Sequence, residues 1–209
     1  MRRLLATSLC LLWMAQGGQQ SVVVPIQNPS FETVLSPPGY PSDSCGLRGP
    51  SVSGWQIGAG SGVFQPTNLN TCGIALPPDG ATVAIAGYGS KFSQTLSTTP
   101  SQLQEYRPGY ASDGVYTLKF SVANYFPTYP GYYEAKVSFG TQELCETSGW
   151  GARTFTQVTL VCPASAYIVI DKSLPGGGLV QGKSNLAVTF TAPGWTLLFD
   201  NVSLSFTPN

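Results

Sequence analysis

Apolar and polar residues alternate along much of the chain, in short runs rich in β-branched and aromatic residues. From Tyr116 to Val122 every second residue is apolar, which is the period of a β-strand with one buried face. The same signals predict strands over residues 22–26, 82–86, 91–96, 133–139, 154–161, 167–171, 186–191 and 197–206. Beyond residue 17 no helical periodicity extends past about two turns. The pattern therefore predicts an all-β protein.

Turn-forming residues separate these runs. The chain contains 24 glycines and 17 prolines, a density that favours turns and excludes long helices. Strands at this spacing are typical of a jelly-roll β-sandwich. The segment 36–52 is rich in Pro, Gly and Ser and contains Cys45, so we expect a long loop there, held by a disulfide. No internal repeat or linker is evident, and residues 18–209 are predicted to form a single β-sandwich domain.

The first seventeen residues have the pattern of a secretory signal peptide. Arg2 and Arg3 precede an apolar run from Leu4 to Ala15, and small residues at Ala15 and Gly17 provide a cleavage site after Gly17. The run is shorter than the ~20 residues that span a bilayer, and no second apolar stretch of spanning length follows. A membrane anchor or a buried first strand is the alternative. We expect a secreted protein, extracellular or periplasmic.

Charge and histidine content exclude several functions. Loss of Arg2 and Arg3 with the leader changes the net charge from zero to −2, and no basic patch suggests nucleic-acid binding. The chain contains no histidine, which removes His-activated nucleophiles and His-ligated zinc. No two carboxylates have a spacing that indicates glycoside hydrolysis. Whether the protein is an enzyme stays open, and a binding protein is favoured.

Four cysteines remain after the leader: Cys45, Cys72, Cys145 and Cys162. An even number in an exported chain indicates disulfides. Three pairings are possible, of which we favour Cys45–Cys72, across the loop-rich N-terminal segment, and Cys145–Cys162, between two neighbouring strands. A zinc site is the alternative, but no closely spaced Cys pair supports it.

An aromatic segment is the strongest candidate for ligand binding. Residues 125–133 contain Tyr125, Tyr129, Tyr132 and Tyr133 together with two prolines. Aromatic rings have flat apolar faces with polar rims, and prolines reduce the entropy lost when a loop binds a ligand. The alternative is a loop that closes one end of the sandwich. Trp55 is a further ligand-binding candidate, although the favoured interpretation is a core or rim position that covers the first strand.

Five short motifs occur in a defined order along the chain. They are Asn28-Pro29-Ser30-Phe31-Glu32, Ser53-Gly54-Trp55, Asp79 to Ala84, Ser93 to Leu96, and Asp200-Asn201-Val202-Ser203-Leu204. Together they resemble the galactose-binding-like jelly rolls of carbohydrate-binding modules. The same order is similar to the Stig cyclases, calcium-dependent proteins of indole alkaloid biosynthesis that use this jelly roll. The resemblance covers nearly the whole chain after the leader.

The resemblance implies a structural Ca²⁺ where the first and last strands meet. Glu32 and Asp200 would supply carboxylates, with backbone carbonyls and Asn28 completing the shell. Ca²⁺ takes six to eight oxygen ligands, so this donor set is chemically suitable. The alternative is that Asp200 caps a strand end while Glu32 is solvated. Asp79 and Gly80 are interpreted as a turn.

The favoured function is a secreted, calcium-stabilised module that binds carbohydrate or another small ligand with an apolar face. The second hypothesis, implied by the resemblance, is a non-hydrolytic cyclase of prenylated indoles, in which a carboxylic acid protonates the substrate. Asp200 is the one acid of the last strand, and if it binds calcium, Glu134 or Asp171 would have to donate the proton. An extracellular structural or adhesive protein is the third hypothesis.

Overall fold

The computed structural model describes residues 20–34, 40–43, 45–67, 72–98, 114–126, 128–140, 142–164, 169–171, 178–180 and 185–208. Over these residues the elements are fifteen β-strands. They are β1 (Val22–Val24), β2 (Tyr40–Asp43), β3 (Gly46–Gly49), β4 (Gln56–Ile57), β5 (Ser61–Pro66), β6 (Val83–Ala86), β7 (Ser90–Thr95), β8 (Gly114–Asn124), β9 (Tyr132–Phe139), β10 (Gln142–Trp150), β11 (Thr156–Pro163), β12 (Val169–Asp171), β13 (Gly178–Val180), β14 (Leu186–Ala192) and β15 (Leu197–Pro208).

Two antiparallel sheets form a jelly-roll sandwich, which confirms the predicted fold class. The larger sheet has the order β11-β8-β15-β6-β5-β3-β2, with β1 also paired to β15. The smaller sheet has the order β10-β9-β14-β7-β4, and β12 and β13 form a separate ribbon. The first strand therefore lies against the last, as the resemblance implies.

The main core lies between the two sheets. Along β9 and β14 every second residue is buried, because successive side chains of a strand point to opposite faces. Its centre is a group of aromatic rings, in which Phe92 stacks on Phe190 at 5.1 Å and Trp55 meets Phe92 edge-on at 5.4 Å. Burial of each large apolar side chain contributes about 1.5–3 kcal/mol.

A second, smaller core covers the outer face of the larger sheet. All four residues of β6 are buried, since Ala84 and Ala86 face the main core while Val83 and Ile85 belong to the outer cluster. Tyr125 lies in the same outer cluster. This face of the larger sheet is therefore partly shielded from solvent.

Both favoured disulfides are present. Cys45–Cys72 closes a 27-residue separation beside the outer cluster. Cys145–Cys162 joins β10, at the edge of the smaller sheet, to β11, at the edge of the larger one. Covalent closure of loops of this length stabilises a fold by about 3 kcal/mol each, by restricting the unfolded chain.

The prediction of a long loop over 36–52 is wrong for the described part of that segment. β2 and β3 form an antiparallel hairpin, and β3 also pairs with β5. The ladder uses backbone groups, so a run poor in β-branched residues can still extend the sheet. Gly46 suits this position because an added Cβ would collide with the Phe64 ring.

The predicted signal peptide lies outside the described residues. Within the described part of the chain, no helix is both long and apolar enough to cross a membrane.

Candidate functional site

Three chain connections meet at one end of the sandwich. Asn124, the buried last residue of β8, accepts a hydrogen bond from the Gly131 nitrogen at 2.9 Å and donates one to the Gly151 carbonyl at 2.9 Å. The Gly151 nitrogen donates to the Gly131 carbonyl at 2.8 Å, and the Tyr125 nitrogen donates to the Thr196 carbonyl at 3.1 Å. These bonds hold the β8–β9, β10–β11 and β14–β15 connections together.

Five aromatic side chains lie on these connections and the adjoining strand ends. We call them the aromatic surface: Phe126, Tyr129, Tyr132, Trp150 and Trp195. The exposed fraction is 42% for Phe126, 50% for Tyr129, 67% for Trp150 and 52% for Trp195, whereas Tyr132 is partly buried. Contiguous exposed apolar groups on a protein surface indicate a site of interaction.

Four of the five rings form two contacting pairs, and Phe126 meets Tyr129 edge-on with the ring centroids 6.4 Å apart. Tyr129 stacks on Trp195 with a centroid distance of 4.7 Å and an interplanar angle of 27°. Tyr132 and Trp150 are cross-strand partners whose ring centroids lie 5.2 Å apart. The backbone segments that carry the two pairs are adjacent, since a Cβ added at Gly194, next to Trp195, would lie 3.3 Å from the Tyr132 nitrogen.

Polar side chains continue from the aromatic surface onto the outer face of the smaller sheet. The Tyr132 hydroxyl donates to the Ser148 hydroxyl at 2.6 Å. Glu134 is partly exposed and lies in register with Ser148 on β10 and Thr191 on β14. Hydroxyl and carboxylate groups beside flat rings are the groups that orient a polar ligand.

Further along the same face, Lys136 pairs with Glu146 at 2.8 Å and with Glu143 at 3.0 Å. Hydrogen bonds to Glu146 and then Glu143 raise the pKa of the Lys136 ammonium. The lysine stays charged, and its three donors are partly occupied by the two carboxylates.

The five tyrosine and tryptophan residues predicted to bind ligand are divided between core and surface. Tyr129 and Tyr132 belong to the aromatic surface. Trp55, Tyr125 and Tyr133 are buried, and Trp55 is only 7% exposed, with its Nε1 donating to the Asn28 carbonyl at 3.2 Å. The described structure therefore leaves little of these three rings accessible, and their role in binding stays a prediction.

Trp150 and Trp195 are members of the aromatic surface that the sequence interpretation did not select. Each follows a glycine, Gly149 or Gly194, and Gly151 also follows Trp150. Trp55 also follows a glycine, Gly54, and is buried, so this local pattern does not identify the exposed rings.

Three carboxylates lie near the junction of the first and last strands, and we call them the acidic junction: Glu32, Asp79 and Asp200. Glu32 Oε1 accepts hydrogen bonds from the nitrogens of Ala81 at 2.9 Å and Thr82 at 2.7 Å. Asp200 Oδ2 accepts one from the Asp79 nitrogen at 3.2 Å. The Glu32 and Asp200 side chains thus converge on the turn that contains Asp79.

Asp200 is an unusual acid because it is fully buried, at 0% exposure. Burial raises the pKa of its carboxyl group to about 7. Hydrogen bonds from the backbone of Asn201 and Asp79 oppose this rise, and the negative charges of Asp79 and Glu32 add to it. Among the described residues, the ion pairs involve Lys136 alone as the cation, so no protein cation neutralises Asp200 there.

The backbone around the acidic junction has a special conformation. Asn28, Phe31 and Asn201 have φ values of 49°, 59° and 51°, which L-residues rarely adopt and which often mark functional sites. Gly80 has φ 69°, and a Cβ there would collide with the Glu32 carboxyl group. Asn28 is itself a predicted metal ligand, and Phe31 and Asn201 directly adjoin the other two, Glu32 and Asp200.

The predicted calcium ligands differ in how free their oxygens are. The Asn28 carboxamide is committed to its own turn, since Oδ1 accepts from the Thr33 nitrogen and Nδ2 donates to the carbonyls of Thr33 and Ser53. In the part of the chain that the structure describes, no group of three or more His, Cys, Asp or Glu side chains has metal-binding geometry. Carboxylate oxygens such as those of Glu32 and Asp200 are of the chemical type that a hard divalent cation prefers.

Comparison with protein-family models gives a match over residues 22–205 to the family described as HpiC1-like, HpiC1 cyclase. Comparison with curated proteins gives no match.

Solved structures with a similar fold include carbohydrate-binding modules. TmCBM61, solved in complex with β-1,4-galactotriose, is 15% identical with a TM-score of 0.44, over 85% of this chain and 94% of that one. The CBM22-1 xylan-binding domain of Xyn10C from Paenibacillus barcinonensis is 8% identical with a TM-score of 0.46, over 80% and 99%. The K1 cleaved adhesin domain of Lys-gingipain from Porphyromonas gingivalis W83 is 11% identical with a TM-score of 0.43, over 91% and 99%. The galactotriose and the xylan in these descriptions are ligands of those proteins.

Proposed function

We propose that this chain, which belongs to the HpiC1-like family, is an exported, calcium-stabilised module that binds carbohydrate on its exposed aromatic surface. The observation that carries the proposal is the stacked pair of Tyr129 and Trp195, each about half exposed. Sugar rings have one apolar C–H face, and an exposed aromatic ring offers a flat surface to it.

Preorganisation of the surface supports the same function. The Asn124 carboxamide bonds to two of the three connections that carry the rings, and this side chain is buried. Rings that are already positioned lose less conformational entropy when a ligand binds. Ser148 and Glu134, beside Tyr132, are available to hydrogen-bond sugar hydroxyl groups.

Calcium is proposed as a structural ion at the acidic junction. Stig cyclases, which the chain resembles, are calcium-dependent. Glu32 and Asp200 would hold the ion through their carboxylates, and the ion would supply the positive charge that the buried Asp200 lacks. The ion would join the segment between β1 and β2, which contains Glu32, to the last strand. No chemical step is assigned to it.

Export is supported by two observations. The structure contains two disulfides, which persist mainly in oxidising compartments. The N-terminal residues have the charged and apolar regions of a signal peptide. We infer an extracellular or periplasmic location.

A cyclase of prenylated indoles is the second candidate, and the family match favours it. A general acid must reach the atom that it protonates. Asp200 has a raised pKa, but it is fully buried and bonded to backbone nitrogens. Glu134 is partly exposed beside Tyr132 and is the acid better placed to meet a ligand on the aromatic surface.

A glycan array tests the proposal, probed with the mature protein in calcium, the same protein in chelator, and the variant Tyr129→Ala/Trp195→Ala. We expect retention on at least one glycan class by the wild type and its loss in the variant. Leu76→Ala is the matched control, since Leu76 is 70% exposed and lies outside the aromatic surface. If the wild type binds no glycan on the array but converts prenylated indoles, and Glu134→Gln abolishes that conversion, the protein is the cyclase instead.

A further inference from the structure

A cavity of about 250 Å³ lies on the outer face of the larger sheet, separate from the acidic junction and from the rings of the aromatic surface. Arg48, Pro50, Gly62 and Ile85 contribute to its lining. Ile85 belongs to the outer cluster, and Gly62 is its register partner on β5. The cavity is open on this face because position 62 carries no side chain.

Glycine is required at the floor of the cavity. A Cβ added at Gly62 would collide with the Gly49 carbonyl oxygen on β3. The close approach of β3 and β5 therefore depends on glycine, and the same feature leaves the space above Gly62 unfilled. Most of the lining is apolar, and the main polar side chain among the lining residues is that of Arg48.

The Arg48 guanidinium is held in place by an aromatic ring rather than by an acid. Its central carbon lies 5.1 Å from the centroid of the Tyr125 ring, a distance at which cation–π attraction acts. Its Nε is shielded from solvent and has no hydrogen-bond partner, and the Ser61 hydroxyl at the cavity is in the same state. The described ion pairs do not include Arg48.

Buried donors are almost always satisfied in native proteins. The Arg48 side chain contributes to the wall of an open cavity, its shielded Nε has no hydrogen-bond partner, and among the described residues no carboxylate neutralises its charge. The acceptor that matches the charge and planar geometry of a guanidinium is a carboxylate or a phosphate.

We propose that this cavity binds the carboxylate of a small organic acid, with Arg48 as the charged partner and the apolar body of the ligand against Ile85 and Pro50. The mostly apolar lining favours an organic acid over inorganic phosphate, because beyond Arg48 and Ser61 the lining side chains offer no donors to the remaining phosphate oxygens. The volume is slightly below the ~300 Å³ lower limit of drug-sized sites, which suits an acid of one ring. The proposal is independent of carbohydrate binding.

Isothermal titration with benzoate, benzamide and inorganic phosphate tests this inference on the mature protein. Benzoate should bind with one site per chain, and benzamide and phosphate at least tenfold more weakly. Arg48→Met should weaken benzoate binding at least tenfold. Arg153→Met, which removes an exposed arginine elsewhere, should leave it unchanged.

Two further variants keep the result interpretable. Arg48→Lys retains the charge but loses the planar fork, so it should bind benzoate several-fold more weakly than wild type, even if Arg48→Met fails to fold. Tyr129→Ala/Trp195→Ala should bind benzoate as wild type does. Absence of benzoate binding, equal binding of benzamide or phosphate, or unchanged binding by both Arg48 variants would overturn the proposal.

Discussion

The protein places aromatic rings in two contrasting regions. Between the sheets, Phe92 and Phe190 stack at 5.1 Å with an interplanar angle of 23°, and both rings are fully buried. On the aromatic surface, Tyr129 and Trp195 stack at 4.7 Å and 27°, with about half of each side chain exposed. The ring geometry is nearly the same, and the exposure differs completely.

The difference separates stability from function. A buried ring stabilises the fold through the apolar area removed from water and through close packing. A half-exposed ring contributes much less to stability, and its accessible face is available to a ligand. Substitutions in the core should therefore lower the free energy of unfolding, whereas substitutions on the aromatic surface should weaken ligand binding with little effect on stability.

The largest effect is expected in the core. Phe190→Ala should lower the free energy of unfolding by about 3–5 kcal/mol, because it removes a buried ring and leaves a cavity. For a domain of this size each kcal/mol corresponds to roughly 2–4 °C in melting temperature, so a decrease of about 10 °C is expected by calorimetry. Phe190→Leu is the control and should lose much less, and equal losses would contradict close packing around this ring.

Removal of calcium should act on the acidic junction, with a pH dependence set by Asp200. In chelator, the pKa of the Asp200 carboxyl group is about 7 in the folded protein, above its ordinary value of 3.8. The folded protein therefore binds this proton more tightly than the unfolded chain does. The resulting stabilisation is fully present below pH 3.8 and is lost as the pH rises through about 7. Melting temperature in chelator should fall by several degrees between pH 5 and 7.5.

Added calcium should restore the melting temperature at pH 7.5, because the ion favours the charged carboxylates. Asp200→Asn should remove both the calcium response and this part of the pH dependence. Identical melting curves with calcium and with chelator at pH 7.5 would rule out a structural ion at the acidic junction.

An intermediate effect is expected for the residue that supports the aromatic surface. Asn124→Ala should lower the free energy of unfolding by about 1–3 kcal/mol, because the Gly131 nitrogen and the Gly151 carbonyl would be left buried without partners. Glycan binding should weaken as the connections loosen. Ser148→Ala, which removes one exposed hydrogen bond to Tyr132, is the control and should leave stability almost unchanged, as urea denaturation can measure.

The smallest effect on stability is expected for the aromatic surface itself. Tyr129→Ala and Trp195→Ala should each change the free energy of unfolding by about 0.5 kcal/mol or less, as is usual for surface positions. Each should nevertheless weaken glycan binding at least tenfold in affinity electrophoresis. A loss of stability comparable to that of Phe190→Ala would show that these rings are structural.

Alternation along the chain was enough to predict most strands of both sheets. It missed the strands β2 to β5, β10 and β13. In β2 and β3, Pro and Gly stand in place of β-branched residues, and their pairing comes from the backbone of neighbouring strands. The Cys145–Cys162 pairing was predicted, but its position between opposite sheets depends on topology, which local patterns do not contain.

The candidate site was only partly predictable for a related reason. Tyr125 and Tyr129 are the same residue type four positions apart, yet one is buried and the other exposed. Trp150 joins the surface through its register with Tyr132, and Asp79 approaches Asp200 across a separation of 121 residues. Such contacts are set by strand order and register, and they become visible only in the folded chain.

Acrylamide quenching of tryptophan fluorescence tests the central claim most directly. In the mature Trp150→Phe variant, Trp55 is 7% exposed and Trp195 is 52% exposed, so Trp195 should account for nearly all quenching. A saturating glycan identified on the array should protect Trp195 and reduce the quenching constant at least twofold. Unchanged quenching while that glycan is bound would place the ligand elsewhere and contradict the account.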